Sequence, residues 1–279
     1  YHQMLGAVMM HPEHREVFPL CPEPIFKRDG ENKNDCERQA SFRFLEAFRR
    51  EHPHLRAIII EDALAANAPH IQALKEKDLR FIITVKPDGN KSLFEWMLGL
   101  ELNQLRKTTS DGRTHQFRWF NEVPLNASHP EIEVHFLKYE VFNPKGRRIY
   151  HNTWITDIPI TQENVDSLAR GGRARWKIEN ETFNTLKNQG YHFEHNFGHG
   201  TQNLSTVLAF LMMLAFLIDQ AQQRCCGLFQ AALAKEKSKT NLWFKMRSLF
   251  TLYTIESWSV LFQGMVFGIK DTTLIPNTS

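Results

Sequence analysis

The chain has little cysteine, and its net charge is weak. Its four cysteines are Cys21, Cys36 and the adjacent pair Cys225 and Cys226, so no CxxC motif occurs. This distribution favours neither a zinc site nor a disulfide framework, and reduced thiols are typical of the cytoplasm. A formal net charge of +3 over 279 residues produces no strong global field, so binding of a polyanion would depend on local basic patches.

Long hydrophobic segments are also scarce. The most apolar run, Val207 to Ile218, is shorter than the roughly 20 residues that a membrane-spanning helix needs, and it predicts a buried core helix. We recognise no signal peptide at the start of the sequence. A composition with 42% hydrophobic and 23% charged residues is enough for a sizeable core plus one insertion.

A glutamate stands out in residues 173–187, RARWKIENETFNTLK. An α-helix over this segment, at about 100° per residue, places Glu179 on the face that packs inward and Glu181 on the opposite, polar face. Three large side chains share the predicted inward face: Trp176, Phe183 and Leu186. A carboxylate on an apolar face is costly unless it is paired or bound to a metal. Helix geometry alone leaves a metal-binding role and an i,i+4 ion pair with Arg175 equally supported.

An aspartate closes a short apolar strand earlier in the chain. Residues 57–60, Ala-Ile-Ile-Ile, predict a central strand covered on both faces. A helix is predicted to start at 67–69 and to run to about Lys77, followed by a strand at 79–85. The strands of such a unit are parallel, so Asp62 is predicted at their carboxyl end, where ligands bind in open α/β sheets. Capping of the following turn is the alternative role for Asp62.

Turn signals and hydrophobic periodicity predict further elements around these segments. In chain order they are antiparallel strands at 4–10 and 16–20, a helix from Asn34 with Phe42, Leu45 and Phe48 in the core, strands at 114–120 and 131–142, a turn at 143–146, a helix from Thr161 to Arg170, a helix break at Gly171-Gly172, and helices beyond Asn203. Trp119 and Trp154 are predicted to pack in the β-rich part rather than to stack on bases.

Four segments together carry a family resemblance. Residues 175–200, RWKIENETFNTLKNQGYHFEHNFGHG, place an arginine four positions before a glutamate, and residues 58–71, IIIEDALAANAPHI, carry the aspartate. Residues 1–12, YHQMLGAVMMHP, and 29–45, DGENKNDCERQASFRFL, complete the set. Jointly these segments resemble the DDE transposases of the insertion-sequence-four-like group, which belong to the ribonuclease H-like superfamily.

The family signature can be compared residue by residue around the glutamate. Arg175 and Glu179 reproduce the spacing of the family's arginine and glutamate. Gly172 stands where the family has an aromatic residue, and the family's lysine appears one position late, as Lys187. The resemblance therefore identifies Glu179 with the family's catalytic glutamate.

The resemblance also implies a metal site. It matches Asp62 to the second catalytic aspartate, so Asp62 and Glu179 are expected to be catalytic and to bind Mg²⁺ or Mn²⁺ in a two-metal site. The family's first aspartate lies upstream of the position of Tyr1, and neither Asp29 nor Asp35 is assigned to the triad. The 279-residue chain is thus expected to be an internal fragment that is inactive alone.

The fold implied by the resemblance is α/β. It is a ribonuclease H-like mixed sheet flanked by helices, with a mostly β insertion between the strand of Asp62 and the helix of Glu179. The first part of the core is expected at 1–92, the β-rich insertion at 93–160, and the glutamate helix with the C-terminal helices at 161–270. Residues 271–279 are expected to form a tail.

The expected partner is double-stranded DNA, both transposon ends and target, bound by a homodimer in a bacterial cytoplasm. Basic patches at Arg147-Arg148, at 170–175 and at Lys86 are candidates for phosphate contacts, although each is more often a solvated face. Five residues are singled out for DNA binding: Lys86, Arg173, Arg175, Lys187 and His195. His192, His195 and His199 lack an acidic or cysteine partner in register, which disfavours a zinc site. A position beside the active site, or contact with phosphate, fits the resemblance better.

The predicted activity is metal-dependent DNA cleavage and strand transfer at insertion-sequence ends. Two alternatives stay open at this point. One is a DNA-binding transposase remnant without catalysis, and the other is a ribonuclease H-like nuclease without strand transfer.

Overall fold

The computed structural model describes residues 3–26, 29–195, 198, 200, 202–269 and 275–277, without the side chains of Asn34 and Asp35. The chain divides into two compact units. The first consists of Gln3–Leu5 and Glu23–Trp176, and the second of Gly6–Pro22 and the described residues from Lys177 onward. Each unit has a hydrophobic core of its own.

Four short strands begin the chain. Strand β1 (Gln3–Leu5) pairs antiparallel with β4 (Glu23–Ile25) in the first unit, and β2 (Val8–Met10) pairs antiparallel with β3 (Val17–Pro19) in the second. The β2–β3 pair confirms the predicted hairpin. The single strand predicted at 4–10 is nevertheless divided at Gly6-Ala7, because its two parts pair with different strands.

Helix α1 (Lys33–Glu51) follows in the first unit. Leu45 and Phe48 are buried and Phe42 is half-buried, which confirms the predicted apolar stripe. Arg43 joins this helix to β4, since its Nε lies 2.6 Å from Glu23 Oε1 and its Nη2 lies 3.0 Å from Asp29 Oδ2. The Asp29 carboxylate is therefore part of an ion pair with α1.

A six-stranded mixed sheet is the centre of the first unit. Its elements along the chain are β5 (Ile58–Glu61), α2 (Ala68–Glu76), β6 (Arg80–Thr84), α3 (Lys91–Leu98), β7 (Asn103–Thr108), β8 (Thr114–Asn126), β9 (His129–Phe142) and β10 (Arg148–Thr156). The strand order is β5-β6-β10-β9-β8-β7. The β5–β6 pair is parallel and the other neighbouring pairs are antiparallel.

The predicted strand–helix–strand unit is confirmed as β5–α2–β6. The Asn67 side chain caps α2 by accepting a hydrogen bond from the His70 N–H at 3.1 Å, and proline occupies the first turn. The prediction of a central first strand is wrong, because β5 lies at an edge of the sheet and Ile58 is 47% exposed. A continuous apolar run indicates burial on both faces but does not show whether a strand has one neighbour or two.

The β-rich segment contains the two predicted strands, as β8 and β9, and the predicted turn at 143–146, whereas β7 and β10 were not predicted. Asn143 Oδ1 accepts hydrogen bonds from the N–H groups of Lys145 and Arg147, and Gly146 supplies a φ of +75°. Trp119 and Trp154 are buried, as predicted, in the core between the sheet and the helix that follows it. Because β10 pairs with β6, this segment shares one sheet with the strand–helix–strand unit.

Helix α4 (Val165–Ala174) continues through Gly171-Gly172, so the predicted break is wrong. Both glycines are buried against the sheet. A Cβ on Gly172 would lie 2.6 Å from Trp154 Cε2, and one on Gly171 would lie 3.1 Å from Ile82 Cδ1. The glycines thus allow close packing of the helix on the sheet. The helix begins later than predicted, with Asn164 rather than Thr161 at the cap position.

The second unit is largely helical. Its elements after β2 and β3 are a π-helical turn (Ile178–Phe183), α5 (Asn184–Asn188), α6 (Leu204–Cys225), α7 (Gly227–Glu236), α8 (Lys239–Leu252), β11 (Tyr253–Thr254), α9 (Trp258–Phe267) and β12 (Ile275–Pro276). Strand β11 pairs antiparallel with β12. One core cluster joins β3, α5 and α6 through Val17, Leu186 and Phe216. Another joins α7, α8 and α9.

Helix α6 differs from the buried core helix predicted at 207–218. It is 22 residues long, and in the described part of the chain it alone is long and apolar enough, by length and composition, to cross a membrane. Met213 and Phe216 are buried, whereas Val207, Leu211 and Leu214 are about half-exposed. The helix therefore has one buried face and one exposed apolar face.

Taken together, the first unit is a mixed α/β structure, with a six-stranded mixed sheet flanked by helices. The predicted fold class is confirmed as an α/β structure with a mixed sheet flanked by helices.

Candidate functional site

Asp62 directly follows β5, at the carboxyl end of the parallel strand pair. Its side chain is exposed, and Oδ1 accepts a hydrogen bond from the Leu64 N–H at 2.9 Å. Asp62 thereby caps a short 3₁₀ turn, Ala63–Ala65. The capping role considered from the sequence is thus present, and the carboxylate stays accessible to solvent.

The residues that follow β6 lie at the same carboxyl end of the parallel strand pair. Lys86 is exposed one position beyond Val85, whose N–H donates to the Thr153 carbonyl at 3.0 Å. Asn90 is buried, and its Nδ2 lies 3.4 Å from the Ala66 carbonyl oxygen, which joins the loop after β6 to the turn after β5. The structure therefore brings Asp62 and Lys86 to neighbouring strand ends, as parallel pairing requires.

Asp88 occupies the same loop and was not selected from the sequence. It is exposed, two residues beyond Lys86. The signal that would have identified it as a candidate is its position in the loop that follows the second strand of the parallel pair.

The helical segment around Glu179 differs from its prediction. Glu179 is exposed and Trp176 is 64% exposed, so neither lies on an inward face. Glu181, predicted to face solvent, is half-buried and pairs with Arg15, with 3.2 Å between Oε2 and Nε. Thr182, Thr185 and Leu186 form the buried side instead.

A π-helical turn explains this change of face. The Asn184 N–H donates to the Glu179 carbonyl five residues earlier, and the Thr182 hydroxyl lies 3.4 Å from the Lys177 carbonyl oxygen, also five residues earlier. Each π-type turn closes with one residue more than an α-turn, so side chains beyond it are rotated relative to a regular α-helix. A uniform step of 100° per residue therefore does not hold across residues 178–183.

Lys177 fixes the β2–β3 turn to the π-helical turn. Its ammonium group contacts the carbonyl oxygens of His11 at 2.7 Å and Pro12 at 3.1 Å, and also that of His14. Burial lowers the pKa of Lys177, while Glu181 and Glu16 oppose the change. A regular α-helix would place Lys177 on the same polar face as Glu181, because nothing in the local pattern shows that a distant turn presents its carbonyl groups there.

The basic candidates have different surroundings. Arg173 is exposed, and its guanidinium carbon lies 4.7 Å from the ring centroid of Tyr150 and 5.8 Å from that of Tyr139. Arg175 is half-buried in the first unit. Lys187 is exposed in the second unit and pairs with Glu194, with 2.7 Å between Nζ and Oε1.

The predicted histidine loop is described only in part. His195 is exposed, and its N–H donates to the His192 carbonyl at 2.9 Å. His199 lies outside the described residues. Within the part of the chain that the structure describes, no group of three or more His, Cys, Asp or Glu side chains is arranged to hold a metal ion.

The two predicted catalytic carboxylates belong to different units, Asp62 to the first and Glu179 to the second.

No protein-family model matches the chain, and no curated protein sequence matches it at a significant level.

Proposed function

We propose that the chain is part of a DDE-type DNA transposase, which cleaves DNA and transfers strands at insertion-sequence ends. The observation that carries the proposal is the exposed Asp62 carboxylate at the carboxyl end of a parallel strand pair. Open α/β sheets bind their ligands at the carboxyl ends of their parallel strands. The β5–α2–β6 unit is compatible with a ribonuclease H-like core, which the proposal includes.

The π-helical turn at Glu179 gives separate support. Single π-type turns inside α-helices are frequent at functional sites. Here the turn contains Glu179 and exposes its side chain. The segment that resembles the family's glutamate-bearing segment thus has an irregular backbone with an accessible carboxylate.

Both carboxylates fit a divalent metal in their chemistry. Carboxylate oxygens are hard ligands that suit Mg²⁺ or Mn²⁺, and both side chains are exposed. Asp62 and Glu179 would hold the metal, and the third acidic ligand is not assigned. Bound metal would supply activation of an attacking oxygen and stabilisation of the leaving oxygen in an in-line displacement.

The chain's own residues have positioning roles in this proposal. The Leu64 N–H fixes the orientation of the Asp62 carboxylate. Lys86, at the adjacent strand end, is placed to neutralise a phosphate. Arg173, Arg175, Lys187 and His195 stay candidates for DNA contact. We also propose duplex DNA as the partner, a homodimer as the assembly, and the bacterial cytoplasm as the location.

A double-mutant cycle of metal affinity tests whether the two carboxylates bind the same ion. Titration of the 279-residue chain with Mn²⁺, followed by the loss of the free-ion electron paramagnetic resonance signal, gives the affinity. We expect Asp62→Asn and Glu179→Gln each to weaken binding at least about tenfold, and the double variant to be little worse than either single variant, because ligands of one ion are not additive. Independent effects, or no effect, would reject the shared site.

A cleavage assay complements the titration. In Mg²⁺, the chain is expected to nick plasmid DNA little or not at all, because the proposal assigns only two of the acidic ligands to it. Robust cleavage that survives purification and is unaffected by Asp62→Asn would contradict the proposal.

A second candidate is a DNA-binding protein without cleavage. The capping hydrogen bond of Asp62 favours it, since capping alone is a sufficient reason for an aspartate at this position. This candidate predicts DNA binding together with Mn²⁺ affinity that neither carboxylate substitution changes.

A further inference from the structure

Charge is distributed unevenly along the large sheet. Residues 103–118 and 138–151, which form one end of strands β7 to β10, contain eight Lys or Arg and two Asp or Glu, a net charge of +6. Residues 119–137, at the opposite end of β8 and β9, contain three Glu and no Lys or Arg, a net charge of −3. The local charge at the basic end thus exceeds the +3 of the whole chain.

Strand register places four of these cations on one face of the sheet. Arg118 is opposite Gln104 on one side and Lys138 on the other, and Glu140 is opposite Gln116, which is itself opposite Arg106. Directly opposed residues point to the same face. Arg148, at the start of β10, reaches the same face, because its Nη1 lies 2.9 Å from Glu140 Oε1. We call the set Arg106, Arg118, Lys138 and Arg148 the basic sheet face.

One buried carboxylate forms ion pairs with three of the four cations. Glu140 is 4% exposed, and its oxygens lie 2.6 Å from Arg118, 2.9 Å from Arg148 and 3.5 Å from Lys138. Burial raises the pKa of Glu140, but hydrogen bonds from Arg148 and Arg118 bring it below the usual value, so the carboxylate stays charged. Two positive charges of this cluster are left without a compensating carboxylate, and Arg118 Nε is buried without a hydrogen-bond partner.

The opposite face of the same strands is used for packing. Phe117, Trp119 and Tyr139 are buried in the core beneath α4. Packing in this core therefore does not account for the cations on the basic sheet face. Arg106 and Arg148 are exposed there, and Arg118 and Lys138 are half-buried.

We infer that the basic sheet face binds the phosphodiester backbone of duplex DNA. Adjacent strands are about 4.8 Å apart and alternate residues about 6.8 Å apart, so the cations form a two-dimensional array suited to a row of phosphates. Guanidinium groups donate in the planar geometry that phosphate oxygens accept. Gln104, Thr108 and Thr114 share the face, and such neutral donors commonly contact the DNA backbone.

The hairpin tips beside this face extend it. The β7–β8 and β9–β10 turns are adjacent, since a Cβ on Gly112 would lie 3.1 Å from Pro144 Cγ. They carry the exposed cations Arg113, Lys145 and Arg147. An acidic protein partner would also be attracted, but protein interfaces have an apolar centre, whereas the centre of this face is formed by Arg118, Lys138 and Glu140.

The inference rests on the proposed function only in taking duplex DNA as the polyanion. It is tested without divalent metal, in EDTA, by fluorescence anisotropy of a labelled duplex of about 20 base pairs. The test variant is Arg106→Gln/Lys138→Gln, which keeps the ion pairs of Arg118 and Arg148 with Glu140. The control Arg50→Gln/Lys91→Gln removes the same charge from exposed positions on α1 and α3.

We expect the test variant to bind about tenfold or more weakly near 100 mM salt and to lower the salt slope by about 2, because each lost phosphate contact removes about 0.9 from it. The control is expected to change neither. Glu140→Gln is expected to tighten binding, since it removes the negative charge from the face and so raises its net positive charge. Thermal melts of each variant confirm folding.

Equal affinities and slopes for the test and control variants would overturn the inference, as would no measurable DNA binding by the unmodified chain. Preferential binding of polyglutamate would identify an acidic protein partner instead. Weakened DNA binding in the test variant, together with Mn²⁺ affinity that is independent of Asp62 and Glu179, would retain the inference and reject the proposed catalysis.

Discussion

The Asp62 carboxylate accepts a hydrogen bond from the Leu64 N–H, with 2.9 Å between Oδ1 and N, while the side chain stays exposed at the end of β5. One residue therefore stabilises a local turn and offers oxygen ligands to solvent. These two roles respond differently to substitution.

Asp62→Asn is expected to leave stability nearly unchanged, because asparagine caps about as well as aspartate. Asp62→Ala is expected to cost about 1 kcal/mol of unfolding free energy, because the Leu64 N–H loses its acceptor. Urea denaturation measures both values. Under the proposed function, both variants lose Mn²⁺ affinity. A stability loss in Asp62→Asn as large as that in Asp62→Ala would show that the negative charge, rather than the hydrogen bond, stabilises the turn.

Glu179 and Glu181 are expected to differ in function although they are two residues apart. Glu179→Gln should weaken Mn²⁺ binding at least about tenfold and leave DNA affinity nearly intact, since it removes a proposed metal ligand but no cation. Glu181→Gln should be close to neutral in both assays, because its pair with Arg15, which is 78% exposed, is a surface ion pair worth about 0–1 kcal/mol. The reverse order of effects would move the metal ligand to Glu181 and reject the assignment of Glu179 as that ligand.

Gly172→Ala is expected to destabilise the first unit by about 1–3 kcal/mol, the usual range for overpacking. The new Cβ would lie 2.6 Å from the Trp154 indole, which is buried and has little room to move. Gly89→Ala is the matched control, since its Cβ would meet only the Lys86 carbonyl oxygen at 3.9 Å. Urea melts followed by tryptophan fluorescence compare the two. Equal stabilities would show that α4 shifts away from the sheet without cost.

The stability of the second unit is expected to fall as pH rises from about 4 to about 7. Burial raises the pKa of Asp219 to about 7, against the opposing effects of the Tyr191 hydrogen bond and Lys239. The folded state thus holds a proton that the unfolded state releases near the ordinary aspartate pKa of 3.8. The stabilisation is therefore complete below that pH and is lost as the pH rises through about 7.

Asp219→Asn removes this titration and keeps an acceptor for the Tyr191 hydroxyl. The difference in unfolding free energy between the unmodified chain and this variant should therefore change by roughly 4 kcal/mol between pH 4 and 8, at about 1.4 kcal/mol for each unit between the two pKa values. Denaturation at several pH values measures it. A constant difference would place the Asp219 carboxylate in a more polar environment than the structure shows.

Local signals in the sequence predicted much of the first unit. Asn67 and Pro69 mark the start of α2, and the apolar run before them marks β5, because caps and proline act through neighbouring backbone groups alone. The turn at 143–146 follows from Asn143 and Gly146 for the same reason. Each of these elements has the position that its own residues indicate.

Other features depend on residues far apart in the chain. Gly171 and Gly172 look like a helix break until Trp154 and Ile82 are placed against them. Lys177 looks solvated until the carbonyl groups of the β2–β3 turn surround its ammonium group. No window of neighbouring residues contains either contact.

The sequence by itself determined the strand–helix–strand unit that presents Asp62, together with the segment that contains Glu179, because both are set by local propensity. Only the tertiary structure decided which carboxylate of that segment is exposed, since a π-helical turn shifts the phase of the helix. The basic sheet face was likewise decided by strand register, which opposes Arg118 and Lys138 across 20 residues of chain. Pairing between distant strands depends on the whole sheet, so a local pattern of charges does not show which cations share a face.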